Sequence, residues 1–173
     1  MLYGRCYGIG KMECLCKCLV KENKPITIIA ACGKNDKLYY RFKNLNVNSN
    51  VTFVPLPMTD DILKYIAACD LFVGKGGNSI AEPTFFGHAS IVSTLSTGIE
   101  KKIASFYANV VGSAIICQNP RKILKLIHQF IENPSLLEKY EHNALLDHDR
   151  YGTEPCVNLV YNEVKKWEVS RNA

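Results

Sequence analysis

Between Asp70 and Glu82 the chain runs Asp-Leu-Phe-Val-Gly-Lys-Gly-Gly-Asn-Ser-Ile-Ala-Glu, an apolar run that stops at glycines and gives way to cap-forming polar residues. That order predicts a strand, a tight turn and a helix start. Together they aim unpaired backbone N–H groups and the positive end of a helix dipole at one point, and such a point attracts a phosphate or another anion. Gly76 and Gly77 are read as the permissive residues of the turn, free to take φ > 0 and to let a ligand approach the backbone closely. Any strand-to-helix turn in an α/β protein also needs glycine, so the motif alone does not decide. Ser79-Ile80-Ala81-Glu82 fits a capping box, with the glutamate closing back on the Ser79 N–H. Pro83 would lie near the first turn, where a missing N–H is tolerated best. Lys75 is open to two readings, a phosphate partner or a solvated side chain.

The elements that must hold this stretch alternate strand and helix. Met1-Leu2-Tyr3 reads as a short strand ending in the loop Gly4 to Gly10, followed by a helix with Met12, Leu15, Cys16, Leu19 and Val20 on one face. Pro25 breaks it, and Ile26 to Ala31 is a β-branched run expected to be buried on both faces, leading to a helix from Asp36 to Leu45. Val51 to Val54 is the next strand. Two prolines then carry the chain to Thr59, whose hydroxyl can cap a helix from Asp60 to Ala68. After Gly87, Ala89 to Ser93 is a strand, and Ile103, Phe106, Tyr107, Val110 and Val111 fall on one helix face that Gly112 stops. Ser113 to Cys117 is the last strand. Helices begin at Pro120, with Ile123, Leu124, Ile127 and Phe130 inward, and at Pro134, and a final one spans residues 155–170. Strands joined by helical crossovers predict a parallel, doubly wound α/β sheet. Ligands of such sheets bind beyond the carboxyl ends of the strands, where Gly4–Gly10, Met58–Thr59, Gly74–Ser79 and Leu95–Lys101 all lie.

The 173 residues, 47% hydrophobic and 21% charged, suffice for one core and are expected to form a single domain. No apolar run approaches the roughly 20 residues that span a bilayer, and no signal peptide opens the chain. A formal charge of +5 favours anionic partners without choosing among them. The eight cysteines, without a secretion signal, are read as free thiols in a reducing cytosol. Cys14, Cys16 and Cys18 do not form a metal cluster on a helix, because an offset of two residues turns a side chain through about 200°. Gly10-Lys11 fails as a P-loop, with Arg5 where a glycine belongs and Met12 where Ser or Thr should follow. The dinucleotide fingerprint that would begin Gly8-Ile9-Gly10 meets Glu13 in place of its third glycine. His88, His128, His142 and His148 are scattered and read as solvated.

Taken in order, Cys32-Gly33-Lys34-Asn35 after a buried strand, the Met58-Thr59 loop, and Ala67 through Glu82 resemble the C-terminal domain of glycosyltransferase family 28. That family includes diacylglycerol glycosyltransferases, monogalactosyldiacylglycerol synthase and the peptidoglycan N-acetylglucosaminyltransferase. The likeness runs from about Gly4 to Asn119, and the order of motifs is more specific than any one of them. It implies the C-terminal, Rossmann-like half of a GT-B enzyme, in which that half holds a UDP-sugar and an N-terminal half, absent here, holds the acceptor. By the same resemblance the diphosphate lies against Gly76, Gly77, Asn78 and Ser79 and the loop containing Gly8 and Gly10. Uracil lies beside Met58 and Thr59, Glu82 takes the ribose hydroxyls, and Glu100 with Lys101 meets the sugar. Asn78 stands where leucine is usual and Pro83 where a helix former is. Ile99, Lys102 and Ile103 replace polar residues usual around Glu100.

The activity so implied is transfer of a hexose from a UDP-sugar to a diacylglycerol-like, lipid-linked acceptor. The implied setting is the cytoplasm, with peripheral contact at the inner membrane face. No cofactor or metal and no nucleic-acid partner is expected, since a helix N-terminus can stabilise the charge growing on a leaving diphosphate. Two alternatives remain open: a non-catalytic donor-binding subunit or gene fragment that needs a separate acceptor-binding chain, and a nucleotide-sugar epimerase, which would also need two halves.

Overall fold

The computed structural model describes residues 1–3, 11–146 and 153–171. Among these residues, six parallel strands form one sheet: β1 (Leu2–Tyr3), β2 (Ile26–Gly33), β3 (Val51–Pro57), β4 (Leu71–Lys75), β5 (Ala89–Thr94) and β6 (Ala114–Ile116). Parallel neighbours require crossovers, which α1 (Met12–Leu19), α2 (Asp36–Lys43), α3 (Ile62–Ala67), α4 (Ala81–Phe85) and α5 (Gly98–Ser105) supply. The helices α6 (Pro120–Glu132), α7 (Ser135–Leu146) and α8 (Thr153–Arg171) follow the last strand. The strand order β3-β2-β1-β4-β5-β6 reverses between β1 and β4. This is the expected Rossmann-like α/β sheet, a class whose ligands bind beyond the carboxyl ends of the strands at such a reversal.

Successive strand residues face opposite sides of the sheet, and β5 shows how the core uses this. Ile91 joins an apolar cluster with Leu15, Leu19, Ile123 and Ile127, whereas Val92 joins a second one with Ile80, Ala104 and Tyr107. Helix α1 buries Met12, Leu15, Cys16, Leu19 and Val20 as its spacing predicts, with Cys14 and Cys18 exposed on the other side. Helix α6 is capped by Asn119, which accepts from the Arg121 and Lys122 N–H groups, and turns Ile123, Ile127 and Phe130 inward. All described side chains of α8 are exposed, and no helix among the described residues is long and apolar enough to cross a membrane.

Several boundaries differ from expectation for physical reasons. Strand β3 runs on through Pro55 and Pro57, which an edge strand tolerates because a missing N–H on its open side leaves no ladder bond unmade. Strand β2 is not buried on both faces throughout, for Thr27 is exposed. The β1 ladder reaches only Ala30 and Ala31, so the first half of β2 borders a cavity lined by Ile26, Ile28, Leu71 and Phe130 instead of a strand. Helix α3 starts at Ile62, and the Thr59 hydroxyl accepts from the Asp61 N–H ahead of it. After α5 the chain widens into a π-helical turn, Phe106–Val111, closed by the Gly112 N–H donating to the Tyr107 carbonyl at 2.9 Å. The wider turn shifts the helix face: Tyr107 and Val111 are buried while Phe106 and Val110 are 40% and 64% exposed.

Gly112 sits at φ +80°, where a Cβ would come within 2.6 Å of Asn143 Nδ2. That same amide donates to the Gly112 carbonyl at 3.1 Å. Replacing Gly112 by alanine is expected to cost about 1–2 kcal/mol for the left-handed backbone, plus the tie to α7. It should be read as a lower denaturant midpoint at unchanged m.

Candidate functional site

The turn after β4 is fixed by its neighbours. The Gly76 N–H donates to the Thr94 carbonyl at 3.0 Å, so it is not free for a ligand. A Cβ on Gly76 would lie 2.3 Å from Leu95 Cδ2 and 2.9 Å from Val92 Cγ1. Neither Gly76 nor Gly77 has positive φ, and Gly77 is extended at φ −108°. The expectation of left-handed glycines is thereby corrected: Gly76 is needed for close packing. A Cβ on Gly77 would meet only Glu100 Cγ, at 4.0 Å, so internal packing leaves room for a side chain there. Asn78–Ile80 form a single 3₁₀ turn that runs into α4, with Ile80 N–H bonded to the Gly77 carbonyl. The N–H groups of Gly77, Asn78 and Ser79 find no acceptor among the described residues. They are the orphan donors of a helix start, at the carboxyl end of β4, next to which the strand order reverses.

Two Ser/Thr-x-x-Glu patterns flank this turn, and the structure treats them oppositely. Ser79-Ile80-Ala81-Glu82 forms no capping box, since neither the 3₁₀ turn nor α4 has a side-chain cap. The half-buried Glu82 carboxylate meets no donor among the described residues, and burial pushes it above the ordinary glutamate range. The capping box forms instead at Thr97-Gly98-Ile99-Glu100. There Thr97 Oγ1 accepts the Glu100 N–H at 3.2 Å, and Glu100 Oε2 accepts the Ser96 N–H at 2.7 Å. Glu100 Oε1 lies 2.6 Å from Lys75 Nζ. The Lys75 ammonium above all, then the Ser96 and Thr97 N–H groups, hold the Glu100 carboxyl below the usual range against the opposing effect of burial. Lys75 is therefore not simply a solvated side chain.

The remaining predicted residues are spread along the same edge. Met58 is 54% exposed and borders, with Thr59, a small pocket at the carboxyl ends of β2 and β3 that includes Tyr3 and Gly33. Lys101 is exposed on the first turn of α5. Gly8, Gly10 and the rest of the Gly4–Gly10 loop, as well as His148, lie outside the described residues. Among the other histidines, His88 Nε2 lies 3.1 Å from the Ala67 carbonyl and His128 Nε2 2.8 Å from Glu22, while His142 is exposed. Sequence reasoning missed Lys11. Its ammonium crosses from the start of α1 to the Ser93 carbonyl at the end of β5, 2.9 Å away, while the Ser93 hydroxyl donates to the Gly74 carbonyl at 3.0 Å. The signal is Gly10-Lys11, a lysine at a helix start after a strand, in a pair that lacks the rest of a P-loop. Two ammonium groups, and three N–H groups and one carboxylate without partners among the described residues, thus share one edge. The set can hold an anion and accept from hydroxyls beside it.

No protein-family model and no curated protein matches the chain. Among solved structures it is similar to MurG of Acinetobacter baumannii, with a TM-score of 0.70 and 24% sequence identity over 83% of this chain. The likeness is one of fold, and the chain spans 44% of the MurG chain.

Two consequences can be measured. Gly76→Ala should lower the melting temperature, while Gly77→Ala should leave it nearly unchanged and lower affinity for any anion seated on the turn. Glu82→Gln should stabilise the unliganded protein at neutral pH. A carboxyl whose pKa is raised by folding disfavours the folded state above that pKa and ceases to do so as pH falls below the unfolded value, so the gain over wild type should shrink in acid.

Proposed function

We propose that this chain binds the UDP-sugar donor of a glycosyltransferase that moves a hexose to a lipid-linked, diacylglycerol-like acceptor. The observation that carries the reading is Glu82, a half-buried carboxylate that meets no donor among the described residues, beside a turn whose three N–H groups find no acceptor among them. A ribose supplies two adjacent hydroxyls that such a carboxylate accepts from, and a diphosphate supplies the acceptor oxygens that the turn lacks. The fold match to MurG, a GT-B glycosyltransferase, supports the same reading, as does the motif order that resembles family 28. Met58 and Thr59 would flank uracil and Glu100 with Lys101 the sugar. Lys11, Lys75 and the turn would stabilise charge on the leaving diphosphate without a metal.

The chain spans 44% of the MurG chain, and in a second reading it supplies the donor-binding half of a transferase whose acceptor-binding half lies elsewhere in the same protein or on another chain. Transfer needs the acceptor hydroxyl held in line with the anomeric carbon and a base within hydrogen-bond reach. One binding face supplies the donor's half of that arrangement. The exposed apolar side chains of α8, Val157, Val160, Tyr161, Val164 and Trp167, suit contact with such a half.

Calorimetry should show UDP binding without magnesium. Tighter binding of ADP or NAD would overturn the nucleotide assignment. Glu82→Ala should weaken UDP more than 2′-deoxy-UDP, by roughly 1–3 kcal/mol for a charged hydrogen bond. The chain alone should bind UDP yet transfer no sugar until an acceptor-binding half is supplied. Transfer by the chain alone, above a Glu82→Ala control, would refute the need for that second half.

A further inference from the structure

The Lys75–Glu100 pair is held unequally from its two sides. The side chains are 23% and 11% exposed, with 2.6 Å between Nζ and Oε1. Glu100 has other support: its Oε2 accepts the Ser96 N–H at 2.7 Å, the Thr97 N–H lies beside it, and its own N–H is capped by Thr97 Oγ1. Were the lysine to leave, the carboxylate would keep these backbone donors and its place at the start of α5. Lys75 has three N–H donors to place, and among the described residues Glu100 is the acceptor its ammonium reaches. Its backbone leads directly into Gly76 and the orphan N–H groups that follow. A flexible four-carbon stem lets the ammonium move by rotamer changes alone.

We infer that Lys75 is an exchangeable latch, held by Glu100 while the site is empty and taken by the donor's diphosphate, which unmasks Glu100 Oε1 for a sugar hydroxyl. The inference rests on the reading of this edge as a UDP-sugar site and adds an order of events to it. A diphosphate offers more charge and more acceptor oxygens than a carboxylate already shared among several donors, so the exchange is favourable in the direction of binding. The released Oε1 is then the open acceptor beside the anomeric end of the donor. The sugar subsite is completed by the nucleotide that carries the sugar, and a free hexose meets a carboxylate that is still engaged.

The test follows the Glu100 carboxyl by carbon-13 NMR in the full chain, titrated with inorganic pyrophosphate and with UDP, alongside calorimetry of Lys75→Gln and Glu100→Gln. Saturating pyrophosphate or UDP should raise the titration midpoint of Glu100 toward the ordinary glutamate range in the wild type, an arm that needs no variant to fold. In Lys75→Gln the midpoint should already be raised and should not respond. That variant should lose about tenfold or more in affinity for UDP, the magnitude of a charged hydrogen bond, with uridine affinity unchanged. Glu100→Gln, which removes the competing carboxylate, should tighten UDP. UDP binding with an unmoved Glu100 midpoint, or equal losses for UDP and uridine in Lys75→Gln, would overturn the latch and leave the UDP-sugar reading standing. A pyrophosphate-driven shift without preference for UDP over ADP would keep the latch and overturn that reading. Absence of binding by both probes would overturn both.

Discussion

The carboxyl edge of the sheet depends on how closely the chain passes β5 at Gly76. The Gly76 N–H is tied to the Thr94 carbonyl, and Leu95, Val92 and Ala104 occupy the space a side chain would need. That contact sets where the next three N–H groups point and how far Lys75 stands from the start of α5. A larger residue would have to push β5 and α5 away from β4, and the Lys75–Glu100 distance would change with it. Interiors packed to crystal-like density transmit such displacements, which makes one glycine the common support of otherwise separate features.

The two glutamates at this edge show what a shared local pattern leaves undecided. Both follow a Ser or Thr by three residues. Thr97 enters its helix from an extended backbone, φ −130° and ψ 161°, the conformation an N-cap residue needs to turn its hydroxyl onto the third N–H. Ser79 lies inside a 3₁₀ turn whose own N-cap is Gly77, so its hydroxyl is out of position to cap and Glu82 does not close back on the Ser79 N–H. One carboxylate becomes a structural cap that is also paired to a lysine; the other is half-buried and meets no donor among the described residues.

The departures along the rest of the chain have the same origin in neighbours. Prolines at positions 55 and 57 argued for a loop, but β3 is an edge strand and keeps its ladder to β2 on one side only. The apolar stripe Ile103, Phe106, Tyr107, Val110 and Val111 suits an ideal α-helix, whereas the π-helical turn adds a residue to the circuit and brings Phe106 and Val110 to the surface. Both changes leave the alternation of strand and helix intact, so the fold class was legible while the facing of particular side chains was not.

By itself the sequence determined the elements and their order, because hydrophobic period, caps and prolines act over a few residues and each helix or strand answers mostly to its own pattern. It also determined that the turn after β4 would sit at the carboxyl edge of the sheet, since parallel strands place every β-to-α turn on one side. Tertiary structure decided the remainder: that Lys75 meets Glu100 across 25 positions, that Lys11 reaches Ser93 across 82, and that Glu82 meets no donor among the described residues. Those outcomes depend on strand order and on the packing of β5 against β4. Side-chain pairing between distant segments is set by where the backbone is carried, which no local pattern records.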